Sequence, residues 1–225
     1  MTSILEAGLV LTFLVLFSYV SYKKHWLDNE GIIIGWILGL SVFLLGGSAA
    51  FITLLIFFAV GEAATHFVKG AKKWHPQRST VNILGNALAA IVALLLSSPL
   101  GFFSAIAASL SDTLSSEIGA TSREKPVLIT TLKKVDAGID GAISQKGLLA
   151  ALIGAVLIAT CAFIFGQPLK SVGIIIGAGI FGSLFDSLLG ATLQKRGLMD
   201  NNEVNFFSSA VSALLAVLVL QPLLV

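Results

Sequence analysis

Residues 31–68 read GIIIGWILGLSVFLLGGSAAFITLLIFFAVGEAATHFV, with one acidic residue, Glu62, and one histidine, His66. A helix crossing a bilayer needs about 20 apolar residues. This run is far too long for one crossing, so it reads as two, meeting at Gly46-Gly47. Working outward in both directions, six more apolar runs can be marked. With the two above they are Ser3–Tyr22, Gly31–Gly47, Ser48–Val68, Ser79–Ser97, Gly101–Ser116, Gly147–Phe165, Ser171–Gly190 and Val204–Gln221. Few show strand-like alternation, and a backbone in lipid must satisfy its own hydrogen bonds, so helices are expected. The fold class is therefore an all-α, polytopic transmembrane bundle of about eight helices, forming one integral membrane domain over residues 1–225.

The composition agrees. The 225 residues are 56% hydrophobic and 12% charged, and mean hydropathy is +0.95. A soluble domain carries about 25% charged residues, so a soluble enzyme and a disordered chain are both excluded. Eight spans leave no room for a separate soluble domain. A net charge of +2 gives no basis for nucleic-acid binding. The single cysteine, Cys161, lies in an apolar run and reads as packing. The first run has no basic residue before Lys23 and no small-residue cleavage signal, so it reads as a span and not a cleaved leader.

Cations set the orientation. Lys23 and Lys24 follow the first run; Lys69, Lys72, Lys73 and Arg78 follow the third. Arg123, Lys125, Lys133, Lys134 and Lys146 follow the fifth, and Lys195 and Arg196 follow the seventh. Only Lys170 falls on the other side. The positive-inside rule makes the crowded face cytoplasmic, with both termini outside. The lack of an Arg- and Ser-rich leader points to a prokaryotic cell membrane.

Ionisable groups within membrane segments are expensive and are functional candidates by default. Glu62, Asp112, Glu117 and Asp186 all fall in the cytoplasmic third of their spans, as do Asn82, Asn86 and Asn205. Polar chemistry is expected at that boundary. An internal repeat sharpens the picture. SLSDTL at 109–114 matches SLFDSL at 183–188, 74 residues on. Val81-Asn82 with Ala87, Ala90 and Ala93 echoes Val204-Asn205 with Ala210, Ala213 and Ala216. Three helical hairpins follow, each bringing a carboxylate to the cytoplasmic side. Repeats of this kind frame sites at their interfaces in transporters, which makes a carrier of small ions or lipids the alternative reading. Residues 118–146 form an unusually long connection for a bundle. Their mixture of Lys133, Lys134, Asp136, Gly138, Asp140, Gly141, Ser144 and Lys146 suits a loop whose backbone N–H groups approach phosphate, although no Walker motif is present.

Four blocks carry a family resemblance. The first is Arg78 with Asn82 and Asn86. The second is SDTLSSEIG at 111–119. The third runs from Pro126 through Thr130-Thr131 and GIDGAIS at 138–144 to Gly147. The fourth joins GSLFDSLLGATLQ at 182–194 to NNEVNF at 201–206. In these blocks the chain resembles the integral membrane proteins that include the plant and cyanobacterial phytyl-phosphate kinases. Residue 82 is Asn where the pattern has Gln, and residue 111 is Ser where Ala is common. The resemblance implies phosphate transfer from a nucleoside triphosphate, CTP being typical of related polyprenol kinases, to an isoprenyl monophosphate.

Such a reaction needs charge neutralisation more than a strong base, because the acceptor phosphate is largely dianionic at neutral pH. Mg²⁺ takes carboxylate and water oxygens, so Asp112, Glu117 and Asp186 are the metal candidates, with Arg78 as a phosphate contact. Asn82, Asn86 and Asn205 serve equally as phosphate ligands or as glue between helices. Lys133, Lys134 and Lys146 serve as phosphate ligands or as contacts to membrane lipids. Asp136, Asp140 and Ser144 shape the nucleotide loop or a solvated turn. Glu62 and His66, at i, i+4, read as a structural pair.

Overall fold

The computed structural model describes residues 3–24, 27–69 and 80–222, with backbone alone at 24, 69 and 80–84. The chain is helical with one small hairpin. Its elements are α1 (Ile4–Lys24), α2 (Asn29–Lys69), α3 (Thr80–Leu95), α4 (Pro99–Gly119), β1 (Val127–Leu128), β2 (Ala142–Ile143), α5 (Gln145–Ile164), α6 (Leu169–Leu189) and α7 (Asn201–Leu214). Wider π-turns extend α6 through Gly190–Gln194 and α7 through Leu215–Leu220.

Seven helices are found among the described residues where eight spans were expected, because the second and third runs form the single element α2. Yet α2 is not one straight rod. Gly47 has φ 70° and ψ −167°, outside helical geometry. A straight helix would separate residues 43 and 51 by about 12 Å along its axis, whereas the Phe43 and Phe51 rings stand 6.3 Å apart, edge to face. A methyl at Gly39 would lie 3.4 Å from Phe51 Cε2. The chain therefore folds back at Gly47, where only glycine adopts this φ without strain. The two arms, with α1, enclose a satellite apolar cluster of Val10, Leu14, Phe43 and Phe51. Trp36 Nε1 donates to Ser18 Oγ at 2.7 Å, and Ser48 Oγ donates to Glu6 at 3.0 Å.

The main core is built around α4. Its residues Leu100–Ser111 are all buried, and so are Thr113 and Leu114. It packs against α2, α3, α5, α6 and α7. Five described helices are long and apolar enough to cross a membrane, namely α1, α2, α5, α6 and α7 with their extensions. α4 is not among them in spite of its 21 residues. The reason is its position. A helix sheathed in protein can carry buried hydroxyls such as Ser109 and Ser111, because neighbouring helices satisfy them. Ser109 Oγ donates to Asn86 O at 2.9 Å, and Ser111 Oγ to Ala151 O at 2.9 Å.

Small residues bring the backbones together, as membrane packing favours. A methyl at Gly154 of α5 would sit 3.1 Å from Ser111 N, and one at Gly182 of α6 would collide with Ala108 Cβ. Ala108 and Gly182 are 74 residues apart, so equivalent positions of the repeat touch each other. Ser104 and Ala178 are also equivalent, and one hydroxyl joins them: Ser212 Oγ donates to Ala178 O at 2.6 Å and reaches Ser104 O at 3.3 Å. α4 and α6 thus pack with equivalent positions of the repeat at the same level.

Candidate functional site

Asp112 and Asp186 lie four residues beyond the Ala108–Gly182 contact. Four residues turn a helix by about 40° past a full revolution, so each carboxylate stands nearly above its contact point. At that level a cleft of about 280 Å³ opens between them. Asp112, Ser115, Ser116 and Gly119 of α4 form one wall. Asp186, Ser187, Gly190 and Gln194 form the second, with Asn201 at the start of α7. The π-turn that carries Gln194 lets an extra residue into the helix at this point, a common device at sites.

The third wall comes from the connection between α4 and α5. β1 and β2 pair antiparallel, Val127 with Ile143 and Leu128 with Ala142. This staples the segment into a fold whose inner stretch, Ala137–Ala142 with Ser144, faces the cleft. Gly141 fixes its position. Its φ is 78°, and an added methyl would meet Ser187 O at 2.5 Å and Ala191 N at 2.7 Å, besides colliding with Ala191 Cβ. Only glycine lets the loop lie directly on the end of α6. Gly138 also has positive φ, 92°.

Of the residues singled out in the sequence, Asp112, Asp186, Gly138, Asp140, Gly141 and Ser144 come together here. Ser144 has a structural task as well: it caps α5 by accepting from Gly147 N at 3.0 Å. The others stand elsewhere. Glu117 is five residues from Asp112, about 140° around the helix, and accepts from Thr65 Oγ1 of α2 at 2.9 Å. The expected trio of Asp112, Glu117 and Asp186 is therefore not assembled; among the described residues no three His, Cys, Asp or Glu side chains gather as metal ligands. Asp136 is bound on the solvent side by Lys125 Nζ at 2.8 Å. That ion pair holds Asp136 below the usual carboxylate range and Lys125 above its own. Lys146 donates to Thr121 Oγ1 at 2.6 Å. Lys133 and Lys134 are exposed on the outer part of the loop and do not line the cleft. Asn86 and Asn205 are buried between helices, where their backbone carbonyls accept serine hydroxyls. Arg78 and the side chain of Asn82 lie outside the described residues. Glu62 and His66 form the expected i, i+4 pair, at 3.5 Å.

Sequence reading missed Ser115, Gln194, Asn201 and Ser208. Ser208 Oγ donates to Asp186 Oδ2 at 3.0 Å from across α7. Gln194 sits within a quoted block, but nothing in its spacing announces a π-turn.

Asp112 and Asp186 offer hard oxygens beside neutral hydroxyl and amide groups. This suits Mg²⁺, which binds through one or two carboxylates together with water and substrate phosphates and needs no all-protein cage.

Fold and site together define a polytopic integral membrane protein with an acidic, glycine-walled cleft at one end of its bundle. The chain belongs to the integral membrane protein DUF92 family, whose sequence model matches residues 12–213. It is 38% identical over 207 residues to an uncharacterized membrane protein of Methanocaldococcus jannaschii, covering 88% of this chain and 87% of that protein. It is 31% identical over 234 residues to an uncharacterized membrane protein of Synechocystis, covering 95% and 90%. Protein VTE6, chloroplastic, of Arabidopsis thaliana is 30% identical over 219 residues, covering 87% of this chain and 66% of that protein. No solved structure matches the chain.

Proposed function

We propose that the protein is a membrane-embedded phosphotransferase, moving the terminal phosphate of a nucleoside triphosphate, CTP favoured, onto an isoprenyl monophosphate. The observation that carries this is the meeting of Asp112 and Asp186, brought by repeat-related helices, with the glycine-bearing segment Ala137–Ala142 in one cleft. The resemblance to phytyl-phosphate kinases in the same sequence blocks supports it. Positive-inside reasoning puts that end in the cytoplasm of a cell, where the nucleotide is, with both termini outside.

In this reading an oxygen of the acceptor monophosphate attacks the γ-phosphorus. The bond from γ-phosphorus to the bridging oxygen breaks, and the nucleoside diphosphate departs with that electron pair. The acceptor is already dianionic, so no base takes a proton. Asp112 and Asp186 would hold Mg²⁺, which when bound neutralises phosphate charge. Ser115, Ser116, Gln194 and Asn201 supply hydrogen bonds that fix the phosphates and the nucleotide. Gly138 and Gly141 leave the backbone of the loop bare, so its N–H groups can approach phosphate oxygens. The apolar chain of the acceptor stays in the bilayer while its phosphate reaches the boundary.

Transport has less support. A second cavity, of about 350 Å³, lies at the opposite end among Gly46, Ser97, Phe102 and Gln167. Between it and the cleft, α4 is closed by Ile106 and Leu110, both fully buried.

The test is to incubate purified protein with phytyl or geranylgeranyl monophosphate, Mg²⁺ and each γ-labelled nucleoside triphosphate. Labelled lipid diphosphate is expected, and is lost in Asp112→Asn and Asp186→Asn variants that remain monodisperse. No labelled product with any donor, from monodisperse wild-type protein, refutes the reading. Solute movement in proteoliposomes without nucleotide use would favour a carrier instead.

A further inference from the structure

Asp112 and Asp186 occupy equivalent places in the repeat of α4 and α6, yet their surroundings differ. The second repeat match, Val81-Asn82 with Val204-Asn205, has an offset of 123 residues. It makes Gly85 of α3 the counterpart of Ser208 of α7. Ser208 is buried, and its single hydroxyl proton has two acceptors in reach, Asp186 Oδ2 at 3.0 Å and Asn205 O at 3.1 Å, of which the carboxylate is the stronger. At Gly85 there is no hydroxyl and no space for one: a methyl there would stand 2.8 Å from the backbone carbonyl of Asn202. The same offset sets Asp186 against residue 63, beside Glu62, so the buried hydroxyl is a feature of the α6–α7 hairpin that the α2–α3 hairpin lacks.

We infer that Ser208 is a positioning residue that makes Asp186 the fixed cation ligand of the cleft. The inference rests on the phosphotransferase reading for its purpose, but its geometry stands alone. A hydroxyl proton committed to Oδ2 fixes the plane of the carboxylate and leaves Oδ1 as the oxygen free for a cation. Partners of this kind orient metal ligands and raise their effectiveness. Ser208 belongs to α7, so its bond references Asp186 to α7 as well as to its own helix α6.

The test reads cation binding directly, by Mn²⁺ titration of the purified protein followed by electron paramagnetic resonance. Ser208→Ala is expected to weaken Mn²⁺ affinity about ten-fold or more. Ser208→Thr keeps the donor and retains the affinity. Ser209→Ala is the control for helix integrity. Ser209 Oγ bonds Asn205 O at 2.8 Å, a similar backbone contact, and touches no carboxylate, so affinity stays at the wild-type value. Equal losses in Ser208→Ala and Ser209→Ala would show that Ser208 acts only through α7 packing, and would overturn the inference. Unchanged affinity in Ser208→Ala would overturn it too, leaving the phosphotransferase reading untouched. Wild-type protein that binds no Mn²⁺ removes the cation from the cleft and brings down both.

Discussion

Replacing Gly182 by alanine tests the repeat contact on which the cleft depends. An added methyl on α6 would collide with Ala108 Cβ of α4 and lie 3.1 Å from Ser212 Cβ and 3.3 Å from Ala108 Cα. Carbon atoms pack best at about 3.5–4.0 Å, so the two helices must part by roughly 1 Å. Overpacking of this type costs about 1–3 kcal/mol. The gain in helix propensity from Gly to Ala is about 1 kcal/mol. With backbone close on both sides the clash falls at the upper end, and the net loss is about 1–2 kcal/mol. Asp112 and Asp186 sit one turn away and separate with their helices, so turnover falls about 10²-fold, the usual price of a 1 Å misplacement. Ala108→Gly in the same chain removes the opposing methyl, and the two propensity changes cancel, so the double variant returns to near wild-type stability. Gly177→Ala is the internal control, because nothing lies within 4 Å of a methyl at that position of the same helix. Unfolding in detergent and turnover are measured on all four proteins. If Gly182→Ala proves as stable as Gly177→Ala, or the double variant is no better than the single one, the packing argument is wrong.

Three further outcomes are expected. Gly141→Ala has no room against Ser187 O and a φ of 78°, so the loop lifts from α6; faster protease cleavage within residues 120–144 and about 10²-fold lower turnover are read together, and an uncleaved, active variant contradicts the docking. Ser97 closes the α3–α4 turn with φ 55°, a region that costs an L-residue about 1–2 kcal/mol; Ser97→Gly therefore raises the unfolding temperature in detergent while turnover, set at the opposite end, is unchanged. Asp136 is held low by Lys125, so its contribution is complete above the unfolded carboxylate value of about 3.9 and fades as pH falls through the lower folded value; Lys125→Ala moves the Asp136 carboxyl titration, followed by carbon NMR, back up to the ordinary range, and no movement would mean the pair does not persist in solution.

The apolar runs and their glycine breaks were readable because membrane helices must be long and apolar, and because Gly46-Gly47 interrupts a stretch too long to be one crossing. The carboxylates Asp112 and Asp186 were readable because the repeat marks them twice. What the residues alone could not give was azimuth. Asp112 and Glu117 look equally placed in the string, yet five residues of helix turn one toward α6 and the other toward Thr65 of α2. The lysines of the long connection looked like phosphate ligands by composition. Antiparallel pairing of β1 with β2 instead presents the glycines Gly138 and Gly141 inward and leaves Lys133 and Lys134 outside. Ser208 was invisible because its meaning comes only from a contact across two helices.

The modest apolarity of α4 bears on how the chain reaches the membrane at all. During synthesis α4 emerges before α5, α6 and α7, the partners that later wrap it. On its own it offers the bilayer Asp112, Glu117 and a series of hydroxyls, groups that insertion machinery penalises. It must therefore wait beside the translocon, or enter as a pair with the strongly apolar α5 whose Gly154 and Ala151 fit against it. A substitution that weakens the α4–α5 seam would then show first as chains inserted with the wrong topology and removed by quality control, before any loss of stability in the molecules that succeed in folding.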